Sequence, residues 1–262
     1  MEVVVLIKPV PEAETRLRPS ADGRRWDEEG VKFVLAGYDE SAVEQALLLK
    51  ESAPGTTVRA LSLGPAPRTE EVLRSALALG CDRASWIEAP AEALGDPVGV
   101  ARALAAFLRR EPIGLVIAGK QSLDEESGVV PLALAAMLGV PGFGGVTNLR
   151  WSTAGGVTFD RVLADSVESW ESSVPIVIGL QQAWNDPRTA KLPNILKSRR
   201  LPIERVAIGD LAGEHPSDAR IERFRFQLPS PRTGAKIIDG QTPDEVAEKL
   251  VRLLRDEAHV LP

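Results

Sequence analysis

Apolar and polar positions alternate with two different periods over the first half of the chain. Short, mostly apolar runs predict buried strands at residues 3–7, 57–63, 84–87 and 115–118. Between them, apolar residues recur every three or four positions, which predicts amphipathic helices. This strand–helix alternation predicts an α/β fold built on a doubly wound parallel sheet. Ligands of such sheets lie beyond the carboxyl ends of the strands, here in the loops after Ile7, Leu63 and Ala118.

Capping residues mark the ends of the predicted helices. Asp39 is expected to begin the first helix, with Ser41 and Glu44 in capping-box spacing. The other predicted starts are Thr69 and Asp96-Pro97, and the predicted stops are Gly80 and Gly139. The last of these helices follows a loop at residues 119–130.

The pattern changes after the fourth helix. Residues 141–145, rich in glycine, predict a turn, and strands are predicted at 146–151, 157–162 and 174–180 with a hairpin turn at 154–156. Residues 185–231 are polar and proline-rich, and so long a loop is expected to lie on a partner or along the main body. Thr242, Pro243 and Glu245 then begin a C-terminal helix. We therefore expect an α/β domain at residues 1–184, extended by a β-hairpin, and an arm at 185–262.

Charge and composition exclude several classes of function. The net charge of −6 gives no support for nucleic-acid binding. The single cysteine, Cys81, excludes an internal disulfide and fits a reducing compartment. His215 and His259 lie far from Cys81, which argues against a zinc site and a histidine-based triad. No run approaches the roughly 18 apolar residues of a membrane span, and we expect a cytoplasmic protein.

The loop after Ala118 is the main candidate for chemistry. It leaves a parallel strand and enters a helix, where free backbone N–H groups and the helix dipole attract phosphate. Gly128 permits close approach, Ser127 offers a hydroxyl and Lys120 adds positive charge, whereas residues 124–126 are acidic. Spacing alone leaves anion binding and a plain capped loop both open. The loop lacks the P-loop pattern.

A second candidate is a cluster of apolar residues that lies among basic residues near the start of the arm. Leu192, Ile195 and Leu196 are flanked by Lys191, Lys197, Arg199 and Arg200. No predicted strand or helix lies near enough to bury them. Exposed apolar clusters of this kind indicate a docking surface.

The segment Gly119-Lys120-Gln121-Ser122-Leu123-Asp124 is similar to the adenine-nucleotide segment Gly-Lys/Arg-Gln-x-Ile-Asp of a known family, the β subunits of electron transfer flavoproteins. Several other segments resemble the same family, in the same order along nearly the whole chain. Other matching segments are 37–46, 61–65 and 76–84, followed by Asp186-Pro187-Arg188 and Leu192-Pro193-Asn194-Ile195. Two positions depart from the family pattern: its Asn-Pro is Ala36-Gly37 here, and its polar Gln-Thr or Gln-Val is Val129-Val130.

The resemblance implies an electron carrier without catalytic residues of its own. It implies a fold of the adenine nucleotide α-hydrolase type, a structural AMP in this chain, and FAD held mainly by an α subunit on which the arm packs. The nucleotide-binding positions that it implies are Leu6, Ala36, Gly37, Tyr38, Asp39, Leu63, Gly119, Lys120, Gln121, Ser122, Leu123, Asp124, Glu125, Glu126, Ser127, Gly128, Val129 and Val130.

The resemblance also implies partners beyond the α subunit. Electrons would come from flavoprotein dehydrogenases such as acyl-CoA dehydrogenases, and would pass to a quinone oxidoreductase or another acceptor. The docking positions implied for the dehydrogenases are Leu192, Pro193, Asn194, Ile195 and Lys197. Two alternatives stay open at this point: a flavin-bifurcating carrier with a second FAD in place of AMP, and a stand-alone adenine-nucleotide-binding module.

Overall fold

The computed structural model describes residues 1–181, 186–211, 221, 225–231 and 234–261. The chain divides into two compact units, Met1–Phe226 and Gln227–Pro262. The first contains an α/β sheet with its covering helices, and the second contains one amphipathic helix. The predicted domain boundary between residues 184 and 185 lies outside the described residues.

The secondary structure follows the alternation expected from the sequence. The strands of the described residues are β1 (Glu2–Leu6), β2 (Pro9–Pro11), β3 (Arg18–Pro19), β4 (Trp26–Asp27), β5 (Phe33–Leu35), β6 (Thr57–Gly64), β7 (Arg83–Glu88), β8 (Leu115–Gly119), β9 (Gly142–Trp151), β10 (Gly156–Val162), β11 (Val167–Ser173), β12 (Ile176–Leu180) and β13 (Glu204–Ala207). The helices are α1 (Gly37–Ser52), α2 (Arg68–Leu79), α3 (Pro97–Leu108), α4 (Val130–Leu138), α5 (Leu192–Ser198) and α6 (Pro243–Asp256).

A nine-stranded sheet organises the described part of the first unit, in the order β11-β10-β9-β12-β8-β1-β6-β7-β13. The pairs from β9 through β12, β8, β1, β6 and β7 to β13 are parallel, whereas β9, β10 and β11 form an antiparallel meander. Two short ribbons, β2 with β5 and β3 with β4, lie outside this sheet.

Successive residues of β1 point to opposite faces and separate two cores. Val3 and Val5 pack in the core that includes residues of α1 and α2, while Val4 and Leu6 pack with residues of α3 and α4. A strand buried on both faces needs the continuous apolar run that the sequence shows. The predicted α/β fold with a doubly wound, largely parallel sheet is therefore confirmed.

The helix ends are partly as predicted. The Asp96 carboxylate accepts the N–H of Val98 at 2.9 Å and caps α3, and Gly80 and Gly139 end α2 and α4 with φ of +130° and +70°. The expected cap of α2 is wrong, because the Thr69 hydroxyl lies inside the first turn and donates to the carbonyl of Pro65.

The expected capping box of α1 is also wrong. The helix begins at Gly37, after Ala36, with no side-chain cap. The pattern assigned the carboxylates of Asp39 and Glu44 to the helix start, but their partners lie outside the helix. Asp39 accepts the N–H groups of Lys8 after β1 and of Gly119 at the end of β8, and Glu44 pairs with Arg188. Long-range contacts of this kind leave no signal in local spacing.

The glycine-rich segment at 142–145, predicted as a turn, is instead the start of β9. It pairs with β12. A side chain at Gly142 is excluded, because a Cβ there would lie 2.4 Å from the Cβ of Ala135 on α4. The glycine therefore permits close helix–sheet approach within a strand, a role that composition does not separate from a turn.

The strands β11 and β13 were not predicted, because neither has the apolar pattern of a buried strand. β11 is the terminal strand of the meander, and most of its residues are exposed. β13 is attached to β7 by polar contacts: the Ser85 hydroxyl donates to Glu204 at 2.8 Å, and the buried Arg59 guanidinium lies 3.9 Å from the same carboxylate.

The C-terminal helix α6 begins as predicted. Pro243 occupies its first turn, and the Thr242 hydroxyl accepts the N–H of Glu245 at 3.3 Å. Its apolar residues are at most half-buried within the described residues. Leu250 and Val251, for example, are both exposed.

Asp39 joins the first turn of α1 to two strand ends. Its carboxylate accepts the backbone N–H of Lys8 after β1, at 2.8 Å, and the N–H of Gly119 at the end of β8. Burial raises the pKa of Asp39 to about 7, although the two N–H groups and the Lys8 ammonium oppose the shift. The carboxylate is therefore an anchor whose protonation changes within an accessible pH range.

Asp39 gives the protein a specific dependence of stability on pH. Its pKa is raised in the folded state, so between pH 4 and 7 the folded chain binds the proton more tightly than the unfolded chain does. Stability from this group is greatest at low pH, falls as the pH rises to about 7, and is then constant, with a slope of at most about 1.4 kcal/mol per pH unit. As the pH rises from 5 to 7, we expect the thermal midpoint of the wild type to decrease relative to that of Asp39→Asn.

The Asn variant is the matched control, because it keeps an acceptor oxygen but does not titrate in this range. Unfolding is followed by circular dichroism at several pH values in one ionic strength. If the two midpoints change in parallel with pH, Asp39 is not the titrating group.

Candidate functional site

A cavity opens at the carboxyl ends of β1, β6 and β8, where sequence reasoning placed the ligand. Its volume is about 750 Å³, including the space at its open mouth. The sheet order reverses here, because β6 and β7 lie on one side of β1 while β8 and β12 lie on the other. Parallel sheets bind ligands at such a switch point.

The inner wall of the cavity is apolar. Leu6, Leu61 and Leu63 contribute from the strands, and Val100 and Leu104 contribute from α3. An apolar wall of this kind suits a flat aromatic ring, which gains from leaving water and needs few polar contacts.

The outer wall is the loop between β8 and α4, and Lys8 fixes its conformation. The Lys8 ammonium donates to Asp124 at 2.9 Å and to the Ser122 hydroxyl at 3.4 Å, and lies 3.5 Å from a Glu125 oxygen. The acidic residues that counted against anion binding are thus directed in part to a lysine of the neighbouring loop. Their charge near the cavity is reduced accordingly.

The start of α4 supplies donors to the same cavity. The first N–H groups of a helix have no partner within it, and Ser127, Gly128 and Val130 line the cavity where α4 begins. Lys120 also lines it, and its ammonium forms no ion pair with a residue that the structure describes. The arrangement can hold an anionic group through backbone N–H groups and one lysine.

The structure brings most of the predicted nucleotide-binding positions to this cavity. The predicted residues that line it are Leu6, Asp39, Leu63, Gly119, Lys120, Gln121, Ser122, Glu125, Ser127, Gly128 and Val130. Whether they bind a nucleotide stays a prediction.

The remaining predicted positions lie behind or beside the lining. Ala36 is buried directly before α1. Tyr38 packs closely against Gly119, since a Cβ added to Gly119 would lie 2.8 Å from the Cβ of Tyr38. Gly37 lies beside Leu123, which is exposed, while Asp124 pairs with Lys8. Glu126 has a φ of +51° within the loop, and Val129 precedes α4 with its side chain exposed.

Sequence reasoning missed two contributions to the cavity. Lys8 follows β1 directly, so the rule that sites lie at strand ends was the signal that could have identified it. The α3 residues Val100 and Leu104, with Leu94 before the helix, complete the apolar wall. Their pattern is that of an ordinary core helix, and only the tertiary structure shows that they face a cavity.

The predicted docking positions lie on α5, a short helix where the sequence suggested a loop away from secondary structure. Leu192, Pro193, Asn194 and Lys197 are exposed, and Ile195 is partly buried. Leu192 and Leu196 are 68% and 53% exposed, and their spacing of four residues places them on the same helix face.

The described residues contain no group of three or more His, Cys, Asp or Glu side chains arranged to hold a metal ion. Within the same residues, every helix is too short or too polar to cross a membrane. Cys81 is buried, and desolvation raises the pKa of its thiol to about 12, as expected for a packed and unreactive residue.

Comparison with known proteins identifies the family. The model of the electron transfer flavoprotein domain matches residues 25–211. The chain is 33% identical to the electron transfer flavoprotein subunit beta of Bradyrhizobium diazoefficiens and 30% identical to that of Bacillus subtilis, in both cases over the full length of both chains. It is 32% identical to the human subunit beta, with 97% of this chain and 98% of the human chain covered. The chain therefore belongs to the electron transfer flavoprotein β-subunit family.

Proposed function

We propose that this chain is the β subunit of a heterodimeric electron transfer flavoprotein that binds AMP structurally and acts in the cytoplasm. Its family implies electron transfer that involves a flavin, and pairing with an α subunit. In the proposal, the heterodimer accepts electrons from flavoprotein dehydrogenases such as acyl-CoA dehydrogenases. It passes them to a quinone oxidoreductase or another acceptor on the way to the respiratory chain. The chain is a carrier and has no catalytic residues of its own.

The observation that carries the proposal is the cavity at the switch point, whose two walls match the two ends of a nucleotide. Leu61, Leu63 and Leu104 give an apolar surface for a purine ring. Lys120 and the N–H groups at the start of α4 give positive charge and donors for a phosphate. The residues present fit AMP.

The two departures from the family pattern leave the backbone donors in place. Val129 and Val130 lack a side-chain hydrogen-bonding group, and Ala36 is fully buried. A phosphate in this site would therefore be held by backbone N–H groups and Lys120 rather than by side-chain amides or hydroxyls. Backbone binding of this kind depends on the loop conformation that Lys8 maintains.

FAD, when bound mainly by the α subunit, supplies the redox chemistry of the complex. The chain itself contributes structure and docking: α5 presents Leu192 and Leu196 to solvent beside Lys191 and Lys197. A small apolar anchor suits a carrier, because rapid exchange between donor and acceptor requires a transient complex rather than a tight one.

The proposal predicts the bound nucleotides of the complex. Co-expressed with its α subunit, purified and denatured, the heterodimer should release about one FAD and one AMP, quantified by chromatography. Two FAD per heterodimer would indicate a bifurcating carrier instead. A chain that retains neither a partner nor flavin would support the stand-alone nucleotide-binding module and contradict the proposal.

Lys120 should discriminate AMP from adenosine. In a heterodimer freed of nucleotide, Lys120→Gln should lower the affinity for AMP roughly tenfold, since one charge contact with phosphate is lost. Adenosine binding should be unchanged. Isothermal titration measures both, with Lys32→Gln as a control because Lys32 pairs with Glu12 away from the cavity. Equal losses for AMP and adenosine would show that Lys120 supports the loop rather than a phosphate.

Leu192 should act in docking alone. Leu192→Ala should raise the apparent KM for the heterodimer in its reduction by a flavoprotein dehydrogenase roughly tenfold, because apolar area is lost from a buried contact. FAD and AMP content should not change. Leu163→Ala, which truncates an exposed leucine between β10 and β11, is the matched control. Unchanged turnover at sub-saturating heterodimer would remove α5 from the docking site.

A further inference from the structure

The short helix α5 is fixed at both of its ends by arginines that the sequence analysis left without a role. A helix of this length is not stable in isolation, since helix formation requires about 12–15 residues to be even marginally favourable in water. Its conformation must therefore come from contacts with the rest of the first unit. Arg188 supplies them before α5, and Arg74 supplies them where α5 ends.

Arg188 attaches the segment before α5 to helix α1. Its Nε and Nη2 donate to the two oxygens of Glu44 at 2.7 and 2.9 Å, and its backbone N–H donates to the same carboxylate at 3.1 Å. Its Nη1 donates to Glu51, about two turns further along the same face of α1, at 2.7 Å. The side chain of Glu44 is only 6% exposed, while that of Arg188 is 32% exposed, so the carboxylate of this bidentate pair is shielded from solvent, unlike that of an ordinary surface ion pair.

Arg74 of α2 closes the other end. Its Nη1 donates to the carbonyl of Ser198, the last residue of α5, at 2.8 Å, and also to the carbonyl of Leu201. Glu70 holds the guanidinium in place through Nη2 at 2.9 Å. Ser198 is buried, and its hydroxyl donates to the carbonyl of Ile195. The carbonyl of the last residue of α5 thus accepts a hydrogen bond from a cation, which also suits the helix dipole.

We propose that Arg188 and Arg74 are positioning residues for partner docking: they fix α5 on α1 and α2 so that Leu192 and Leu196 enter a partner together. The inference rests on the proposed docking function of α5. Arg74 is distant in sequence from the leucines, Arg188 lies shortly before Leu192, and neither arginine presents an apolar group to a partner. They act by removing alternative conformations of the segment, so less conformational entropy is lost when the partner binds.

The test is the reduction of the complete heterodimer by a reduced flavoprotein dehydrogenase, measured over a range of heterodimer concentrations. Arg188→Gln should raise the apparent KM roughly tenfold and leave kcat unchanged, since preorganisation affects association and not the electron transfer that follows it. Arg188→Lys should give a smaller rise, because a lysine keeps the charge beside Glu44 but not the two-pronged geometry. Hydrogen exchange of the α5 amides should be faster in Arg188→Gln.

Arg205→Gln is the matched control. Arg205 forms a bidentate pair with Glu88 between β13 and β7, in the same unit but not on α5, and its loss should not change KM. FAD and AMP content and the thermal midpoint are measured for every variant. Arg188→Gln leaves Glu44 buried without a partner. If the heterodimer with this variant fails to assemble for that reason alone, Arg74→Gln and Glu51→Gln test the same proposal, because they break ion pairs whose carboxylates are exposed.

A double-mutant cycle separates positioning from general stability. If Arg188 acts through Leu192, Arg188→Gln should add little further loss to Leu192→Ala, so the two effects should be less than additive. Fully additive effects would overturn the positioning role and leave the docking function intact. The same conclusion would follow if KM were raised in Leu192→Ala but unchanged in the arginine variants. An unchanged KM in Leu192→Ala as well would overturn both.

Discussion

The close contact between Gly119 and the first turn of α1 is the constraint on which the site depends. A Cβ at Gly119 would lie 2.5 Å from an Asp39 carboxylate oxygen and 2.8 Å from the Tyr38 Cβ, so no other residue allows this approach. The approach lets Asp39 accept N–H groups from the ends of both β1 and β8. The two central strands of the sheet and the helix that covers them are thus fixed at one point, and the cavity lies beside it.

One helix connects the two candidate functional regions of the chain. Asp39, in the first turn of α1, faces the cavity, while Glu44 and Glu51, further along the same helix, hold Arg188 and the segment that leads to α5. The cavity and α5 therefore share a rigid support. A nucleotide bound in the cavity would have a structural effect without taking part in electron transfer, since filling the cavity would stabilise the loops that surround the start of α1.

The parts of the structure that sequence reasoning predicted are those with a local cause. Apolar runs identified β1, β6, β7 and β8, the Asp96-Pro97 pair identified the start of α3, and the strand-end rule located the cavity. Most of the failures depend on tertiary contacts, whereas the wrong cap at Thr69 has a local partner, the carbonyl of Pro65. Glu44 has the spacing of a capping box but pairs with Arg188, Gly142 has the composition of a turn but packs under Ala135, and β13 is attached by Ser85 and Arg59 rather than by an apolar face.

The outermost strand of the meander has a consequence for the chain before it meets a partner. Within the described residues β11 pairs on one side only, and its exposed Val167 and Trp170 would favour pairing with another copy of the chain. In the antiparallel register that sets Ser169 opposite Trp170 of a second copy, Glu168 of each chain would face Glu171 of the other. Like charges directly opposite one another disfavour that ladder. In this register the carboxylates of β11 therefore oppose pairing of the strand with a second copy of the chain.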